Sequence, residues 1–429
     1  MRHFNVALTR RALIGAGGAL GLGVILRRSA GETPPMRGGT ATTQTIKPVH
    51  SDLIYQSYGV CSHPNFTVTA YGDTAAWVDR LGTLGAAYFR GLYVHQLPST
   101  MLTATEARRR GIGWLATVAP SDWSLPQDQL QARLTHIRDN AANVIIAIEG
   151  VNEPNNVRGG GARAGDWAER TVATQKAIYE FVQAEMPGTP VVGPSLHAAV
   201  PTAYDDHLRL GELGVQEYFD YAGLHRYPDG NYPTYRVDER LDWIRKAFGD
   251  VPTWITETGY TNALGSQSGQ NPVPEDVSAA YAAISLLELY RRGCRSVRYE
   301  LLDDPDPDRR EIEANFGLWR TASLDAASWT EKPEVGAMQS FLASLIDPGQ
   351  PFTPEPLKLK MRAPVTVQWL VTGKRSGETT VLLWQAVPIY DPELRHSIAF
   401  PEVEVEVGRE GSASTVLSVP PGQVIASQI

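Results

Sequence analysis

Val144-Ile145-Ile146-Ala147-Ile148-Glu149-Gly150-Val151-Asn152-Glu153-Pro154-Asn155 is an apolar run that ends in a polar loop with a glutamate at the junction. The run predicts a buried strand over 144–151. The same design recurs 104 residues later, where Val251-Pro252-Thr253-Trp254-Ile255-Thr256 leads into Glu257-Thr258-Gly259-Tyr260. In a parallel sheet the carboxyl ends of the strands are where chemistry is placed. Two carboxylates meeting there are the minimum equipment for cleaving a glycosidic bond.

Working outward, short apolar runs alternate with amphipathic stretches. Strands are expected at Tyr58–Ser62, Ala87–Tyr93, Gly113–Ala119, Val144–Val151, Pro190–Pro194, Tyr221–His225, Thr253–Thr256 and Ser296–Leu302. Between them, Trp77, Val78, Leu81 and Leu84 recur at helical spacing, as do Leu130, Leu134 and Ile137, and Val277, Tyr281, Ile284 and Leu287. Lys332-Pro333 opens a further helix running toward Leu345. Eight strands alternating with helices form the pattern of a (β/α)8 TIM barrel, of class α/β, over residues 53–347. A doubly wound sheet would show a Gly-rich phosphate loop after its first strand, and Gly59-Val60-Cys61-Ser62-His63 is not one.

Past Asp347-Pro348-Gly349 the pattern changes to short strand-like runs separated by turns: Val365–Val371, Thr379–Ala386, Ile398–Phe400, Val403–Val407, Thr415–Val419 and Val424–Ser427. These predict a small antiparallel β-sandwich over 348–429. Trp369 and Trp384 suit packing inside it better than an exposed binding platform. Residues 31–52, rich in Gly, Pro and Thr, read as a disordered linker. Before them, Thr9-Arg10-Arg11-Ala12-Leu13-Ile14 opens a Gly/Ala/Leu run ending at Leu26, an export signal of twin-arginine type over 1–30. The run is too short and glycine-rich for a stable membrane span. A secreted or cell-envelope location follows as an expectation.

The formal net charge of −8 gives nucleic-acid binding little electrostatic support. The two cysteines, Cys61 and Cys294, fall near opposite ends of a barrel, beyond disulfide reach, and read as free and structural. No Cys/His spacing marks a metal site, so no cofactor or metal is expected. Oligomeric state is left open.

Asn-Glu-Pro alone is a weak signal. A plainer reading has Glu153 capping a helix and Glu257 pairing with a surface arginine. With both glutamates placed after strands, however, the chain resembles the clan-A superfamily of retaining glycoside hydrolases, over roughly residues 54–345. The barrel followed by a small sandwich is similar to family 39 and its relatives. The resemblance implies that Asn152-Glu153 ends the fourth barrel strand and supplies the acid/base, and that Glu257 ends the seventh and is the nucleophile. It further implies that Arg90, in Phe89-Arg90-Gly91, sits beside the nucleophile, and that Tyr227, in His225-Arg226-Tyr227, bonds to it. Asn152 would bond the sugar 2-hydroxyl. A guanidinium and a donated hydrogen bond favour an ionised nucleophile, whereas burial and a second carboxylate favour a protonated acid. Retaining chemistry asks for carboxyls about 5–5.5 Å apart.

His225 and His63 are further supporting candidates, His63 facing the cleft after the first strand. Glu149 reads as a buried structural carboxylate with Arg90 as its partner, and His197 as a residue behind the site. Trp123, Trp319 and Tyr260 are candidates for stacking on sugar rings. At the eighth strand, where many clan members carry a tryptophan, this chain reads Val297-Arg298-Tyr299-Glu300-Leu301-Leu302-Asp303. Glu300 or Asp303 would then contact hydroxyls, or Asn315-Phe316-Gly317 would close the site. The expected function is hydrolysis of a carbohydrate by double displacement. The alternatives are transglycosylation on the same site and a non-catalytic carbohydrate-binding barrel.

Overall fold

The computed structural model describes residues 41–119, 126–156, 165–267, 269–350 and 352–429. Residues 1–30, where an export signal is expected, and Trp123 lie outside the described residues. At the centre is a closed parallel barrel. Its strands are Tyr58–Cys61, Tyr88–Leu92, Gly113–Ala119, Ile145–Val151, a fifth in two pieces (Val191–Val192 and Leu196–His197), Ala222–His225, Thr253–Thr258 and Cys294–Arg298. The first strand closes on the eighth, Tyr58 opposite Ser296. The two halves of the fifth divide the work of closure. Val191 pairs with Ile148 of the fourth strand, and Leu196 with Leu224 of the sixth. Gly193-Pro194-Ser195 makes the break between them. It fits against Gly223, where a Cβ would stand 2.4 Å from the Ser195 hydroxyl.

The barrel interior is layered by the two-residue period of its strands. Tyr88, Leu115, Ala147, Val192, Trp254 and Val297 fill one apolar layer. Two residues further along the same strands stand Arg90, Thr117, Glu149 and Thr256, all buried. The core thus turns from apolar to charged within one step of the pleat, toward the carboxyl ends of the barrel strands. Outside, the helices Thr74–Leu84, Gln127–Asn140, Glu275–Arg291 and Pro333–Leu345 bury the apolar residues that their spacing singled out, among them Trp77, Leu81, Leu134, Ile137, Ile284 and Leu287. Cys61 and Cys294 are both free and buried.

The second domain is a sandwich of two four-stranded sheets. One sheet contains Thr42–Ile46, Leu357–Arg362, Val403–Arg409 and Thr415–Val419. The other contains Val49–His50, Val367–Gly373, Thr379–Gln385 and Val424–Gln428. Leu359, Met361, Val371, Val381, Leu383, Val405 and Val407 are buried between them.

Two expectations are corrected here. Residues 41–52 are not a disordered linker: Thr42–Ile46 pairs antiparallel with Leu357–Arg362, and Ser51 begins a short helix. That strand lies at a sheet edge with four of its five residues exposed, so it has no apolar periodicity. Its β-branched threonines are what suit it to a strand. In addition, 398–400 is not a strand. The hairpin there is Tyr390–Asp391 with His396–Ser397.

The sandwich docks on the barrel through Leu382 and Trp384, which belong to the same apolar cluster as the barrel helices. Trp384 donates its indole N–H to Glu288 on the helix Glu275–Arg291 at 2.9 Å. Among the described residues no helix is long and apolar enough to cross a membrane.

Candidate active site

Arg90 organises the carboxyl end of the barrel. From the second strand its Nε and Nη2 reach the two carboxyl oxygens of Glu149 at 2.5 and 3.1 Å. Nη1 donates to Glu257 Oε1 at 2.7 Å, and Nη2 also donates to Asn152 Oδ1 at 2.7 Å. One planar guanidinium therefore sets three side chains from the fourth and seventh strands, which a lysine could not do. Glu149 is completely buried. Burial pushes its carboxyl up, but Arg90, then His225 and Ser195, bring it below the usual range. Thr117 and Ser195 add hydroxyl donors to it, each at 2.7 Å.

Glu257 is aimed by an irregularity in its strand. The pairing register shifts after Ile255 on both sides, which turns Glu257 toward the cleft where strict alternation would turn it away from Thr256's side. Its second oxygen accepts from the Tyr227 hydroxyl at 2.7 Å. Burial and the neighbouring Glu257 charge hold that phenol well above its ordinary value, so it is a standing donor.

Glu153 follows the fourth strand with φ of 42°, a left-handed conformation uncommon for a residue with a side chain. Its backbone N–H is fixed by the Ser195 carbonyl at 2.8 Å. Oε1 accepts from His225 Nδ1 at 2.8 Å and Oε2 from the Asn156 amide at 2.8 Å. His225 also approaches Glu257 Oε2 at 3.3 Å. An oxygen of Glu153, an oxygen of Glu257 and a nitrogen of His225 all lie within 4.8 Å of one another.

That triad has the spacing to hold a metal ion, but the imidazole is turned to another purpose. His225 Nε2 faces Arg90 Nη2 at 3.4 Å, and a guanidinium can only donate. Nε2 must therefore accept, which puts the proton on Nδ1, between the two carboxylates.

One expectation is overturned by these contacts. Burial does push the Glu153 carboxyl up, as an acid requires. The hydrogen bond donated by His225, with His197 and the Asn156 amide, pulls it back below the usual carboxylate range. In the empty cleft Glu153 is an anion at neutral pH.

His63 and Glu300 form an ion pair with each other across the first and eighth strand ends. Asp303 is 2% exposed and paired with buried Lys332 at 2.8 Å, so it does not reach the cleft. Trp319 and Tyr260 are likewise buried, Tyr260 stacked on Tyr281 with its hydroxyl on the Asn231 carbonyl. Phe316 packs beside Tyr227 and Tyr299, and Asn315 braces its own loop. His197 lies behind Asn155, whose side chain accepts its backbone N–H at 2.9 Å. Sequence reasoning missed Asn156, Ser195 and Thr117. Asn156 was within reach, three residues after Glu153 in the same loop. The others carry no local signal.

A closed (β/α)8 barrel with an attached sandwich and carboxylates at the ends of its fourth and seventh strands has the architecture of the clan-A glycoside hydrolases. Among solved structures, a family 51 α-L-arabinofuranosidase from Bifidobacterium longum superposes with a TM-score of 0.59 at 10% identity, over 90% of this chain and 97% of that one. A β-glucuronidase from Bacteroides uniformis matches with a TM-score of 0.49 at 12% identity, over 85% of this chain and 45% of its own. A β-1,3-glucanosyltransferase from Rhizomucor miehei matches with a TM-score of 0.43 at 16% identity, over 62% of this chain and 95% of its own. At such identities the likeness is one of fold, and family 39 is not singled out. No family model matches the sequence, and no curated protein matches it.

Proposed function

We propose that the chain is a retaining glycoside hydrolase, with Glu257 as nucleophile and Glu153 as acid/base. The observation that carries this reading is the pair of carboxylates with oxygens within 4.8 Å of each other. Nearest oxygens this close agree better with the separation of about 5–5.5 Å between carboxyl groups used in double displacement than with the roughly 6.5–9.5 Å that leaves room for a water. Glu257 attacks the anomeric carbon while Glu153 protonates the leaving oxygen. Glu153 then takes a proton from the water that releases the sugar. Asn152, with Oδ1 held by Arg90, has its NH2 left to donate to a sugar hydroxyl.

The low value of Glu153 in the empty cleft belongs in the mechanism. Its proton arrives with the substrate: covering the cleft removes water from an anion already close to Glu257, which favours the neutral acid. His225 Nδ1 continues to donate to Oε1, leaving Oε2 to carry the proton. Transglycosylation needs the same residues and differs in the acceptor. A binding-only barrel has no need of the Arg90, Tyr227 and His225 contacts to the two carboxylates. Export is part of the proposal and rests on Arg10-Arg11 and the run to Leu26. Loss of export in an Arg10→Lys/Arg11→Lys double variant is its test.

The test of mechanism is a set of 2-deoxy-2-fluoro glycosides, α-L-arabinofuranoside included because that is the named activity of a structural neighbour. Peptide mapping should find the sugar on Glu257. A label on any other residue, or full activity in Glu257→Gln, would sink the assignment.

A further inference from the structure

The sandwich does more than cover the side of the barrel: one of its hairpins takes hold of two loops at the carboxyl end. In this hairpin Tyr390–Asp391 pairs with His396–Ser397. Asp391 stiffens the turn, its Oδ1 accepting from the backbone N–H groups of Glu393 and Leu394 at 2.9 Å each. At the base, the Ile389 N–H donates to the Tyr281 hydroxyl at 2.9 Å, and Tyr390 is buried with Tyr260, Val273, Val277 and Tyr281. At the tip, Arg395 Nη1 and Nη2 donate to the backbone carbonyls of Leu264 and Ser266 at 3.1 and 2.6 Å. Pro392 lies against Gly230, where a Cβ would stand 2.7 Å from the proline's own.

Tyr260, Leu264 and Ser266 belong to the loop that follows Glu257, and Gly230 to the loop that follows Tyr227. These two loops are tied to each other. The Tyr260 hydroxyl donates to the Asn231 carbonyl at 2.8 Å, and the Asp229 carboxylate accepts from the Asn271 N–H at 2.7 Å. Strand pairing between them stops at Glu257 opposite His225. The position of Tyr227, two residues further on, therefore depends on what holds its loop. That loop gives itself little support: it runs through turns, with φ of 53° at Asp229, 73° at Gly230 and 57° at Arg236. The sandwich grips it a second time through Glu288, which accepts from the Trp384 indole and, at 3.1 Å, from the Tyr232 hydroxyl.

We propose that the hairpin 390–397 is a positioning element of the active site: through Arg395 and Pro392 it sets the two loops that aim Glu257 and its partner Tyr227. This role rests on the glycosidase reading, whose nucleophile it aims. It makes the sandwich part of the machinery for the chemical step. A nucleophile misplaced by about 1 Å loses on the order of a hundredfold in rate, and losing one grip of several is expected to cost about tenfold.

Arg395 is exposed, so Arg395→Ala should leave the melting temperature within about 2 °C. The probes are 2,4-dinitrophenyl 2-deoxy-2-fluoro glycosides (glucoside, xyloside and α-L-arabinofuranoside), with labelling of Glu257 followed by mass spectrometry over time and concentration. Arg395→Ala should lower the labelling rate constant about tenfold and leave the inhibition constant within about twofold. Arg395→Lys, whose ammonium can still donate to a carbonyl, should recover about threefold of that loss. Arg409→Ala, which removes another exposed arginine of the sandwich from its 3.0 Å bond to Thr379, should change neither constant. A wild-type rate constant in Arg395→Ala, a loss explained by a lowered melting temperature, or an equal fall in Arg409→Ala overturns the positioning role and leaves the glycosidase reading standing. No label on Glu257 of the unaltered protein, with no glycoside or polysaccharide cleaved, overturns both.

Discussion

Replacing Arg90 by methionine tests whether one cation holds the catalytic end together. Arg90→Met keeps the apolar stem and removes the guanidinium, which is 6% exposed and spans Glu149, Glu257 and Asn152. The largest cost falls on Glu149, left at zero exposure with only the Thr117 and Ser195 hydroxyls. Stranding a buried charge by removing its partner costs about 3–5 kcal/mol, and the two hydroxyls place the expected loss near the lower end. Urea unfolding followed by tryptophan fluorescence should show it as a lower midpoint with unchanged slope. Arg90→Met/Glu149→Gln removes the stranded charge and should recover about half of the loss, the signature of coupled neighbours. A loss under about 1 kcal/mol in Arg90→Met, or a double variant no more stable than the single, would refute the reasoning.

Tyr227→Phe removes the 2.7 Å bond to Glu257 while keeping the ring, and should lower kcat by roughly tenfold to a hundredfold with little change in melting temperature. His207, fully buried with Nδ1 on the Ala203 carbonyl, is driven by burial from 6.5 to about 4. Its folded value lies below the unfolded one, so the unfolded chain binds the proton first. Stability should fall by about 3 kcal/mol as pH drops from 6.5 toward 4, and His207→Asn should flatten that part of a pH series of urea midpoints. Trp384→Ala removes the ring that docks the sandwich and the donor to Glu288, and should cost about 3–5 kcal/mol in the same unfolding assay.

Much of the barrel was legible because each strand is an apolar run closed by a turn, and the catalytic candidates stand where those runs stop. Glu153 and Glu257, Arg90 and Tyr227 meet in space because strand order converts distance along the chain into neighbourhood around a ring. What could not be read has a common cause. The contacts that set the charge of Glu153 come from His225, 72 residues away, and the hydroxyls around Glu149 come from two other strands. Position at a strand end says where a carboxyl is, and says nothing of how many donors converge on it. The tryptophan and tyrosine expected to line the cleft went the other way: Trp319 begins a short strand, Trp319–Thr321, and Tyr260 lies in a loop, and both side chains are buried in the core. The strand Leu357–Arg362 was legible but overlooked: Leu357, Leu359 and Met361 alternate with Lys358, Lys360 and Arg362, the two-residue period of a strand with one wet face.

Thr42–Ile46 completes a sheet whose other strands begin 315 residues later, Thr42 lying opposite Met361. The whole barrel is thus a loop held between neighbouring strands of one sheet, like a bead on a clasped cord. Closing so long a loop is slow when the chain between is unfolded, yet a folded barrel shortens the search by bringing the ends together. The edge strand is expected to dock after the sheet through Arg409 has formed and to be the first to peel away, so hydrogen exchange at its amides should be faster than in Leu357–Arg362.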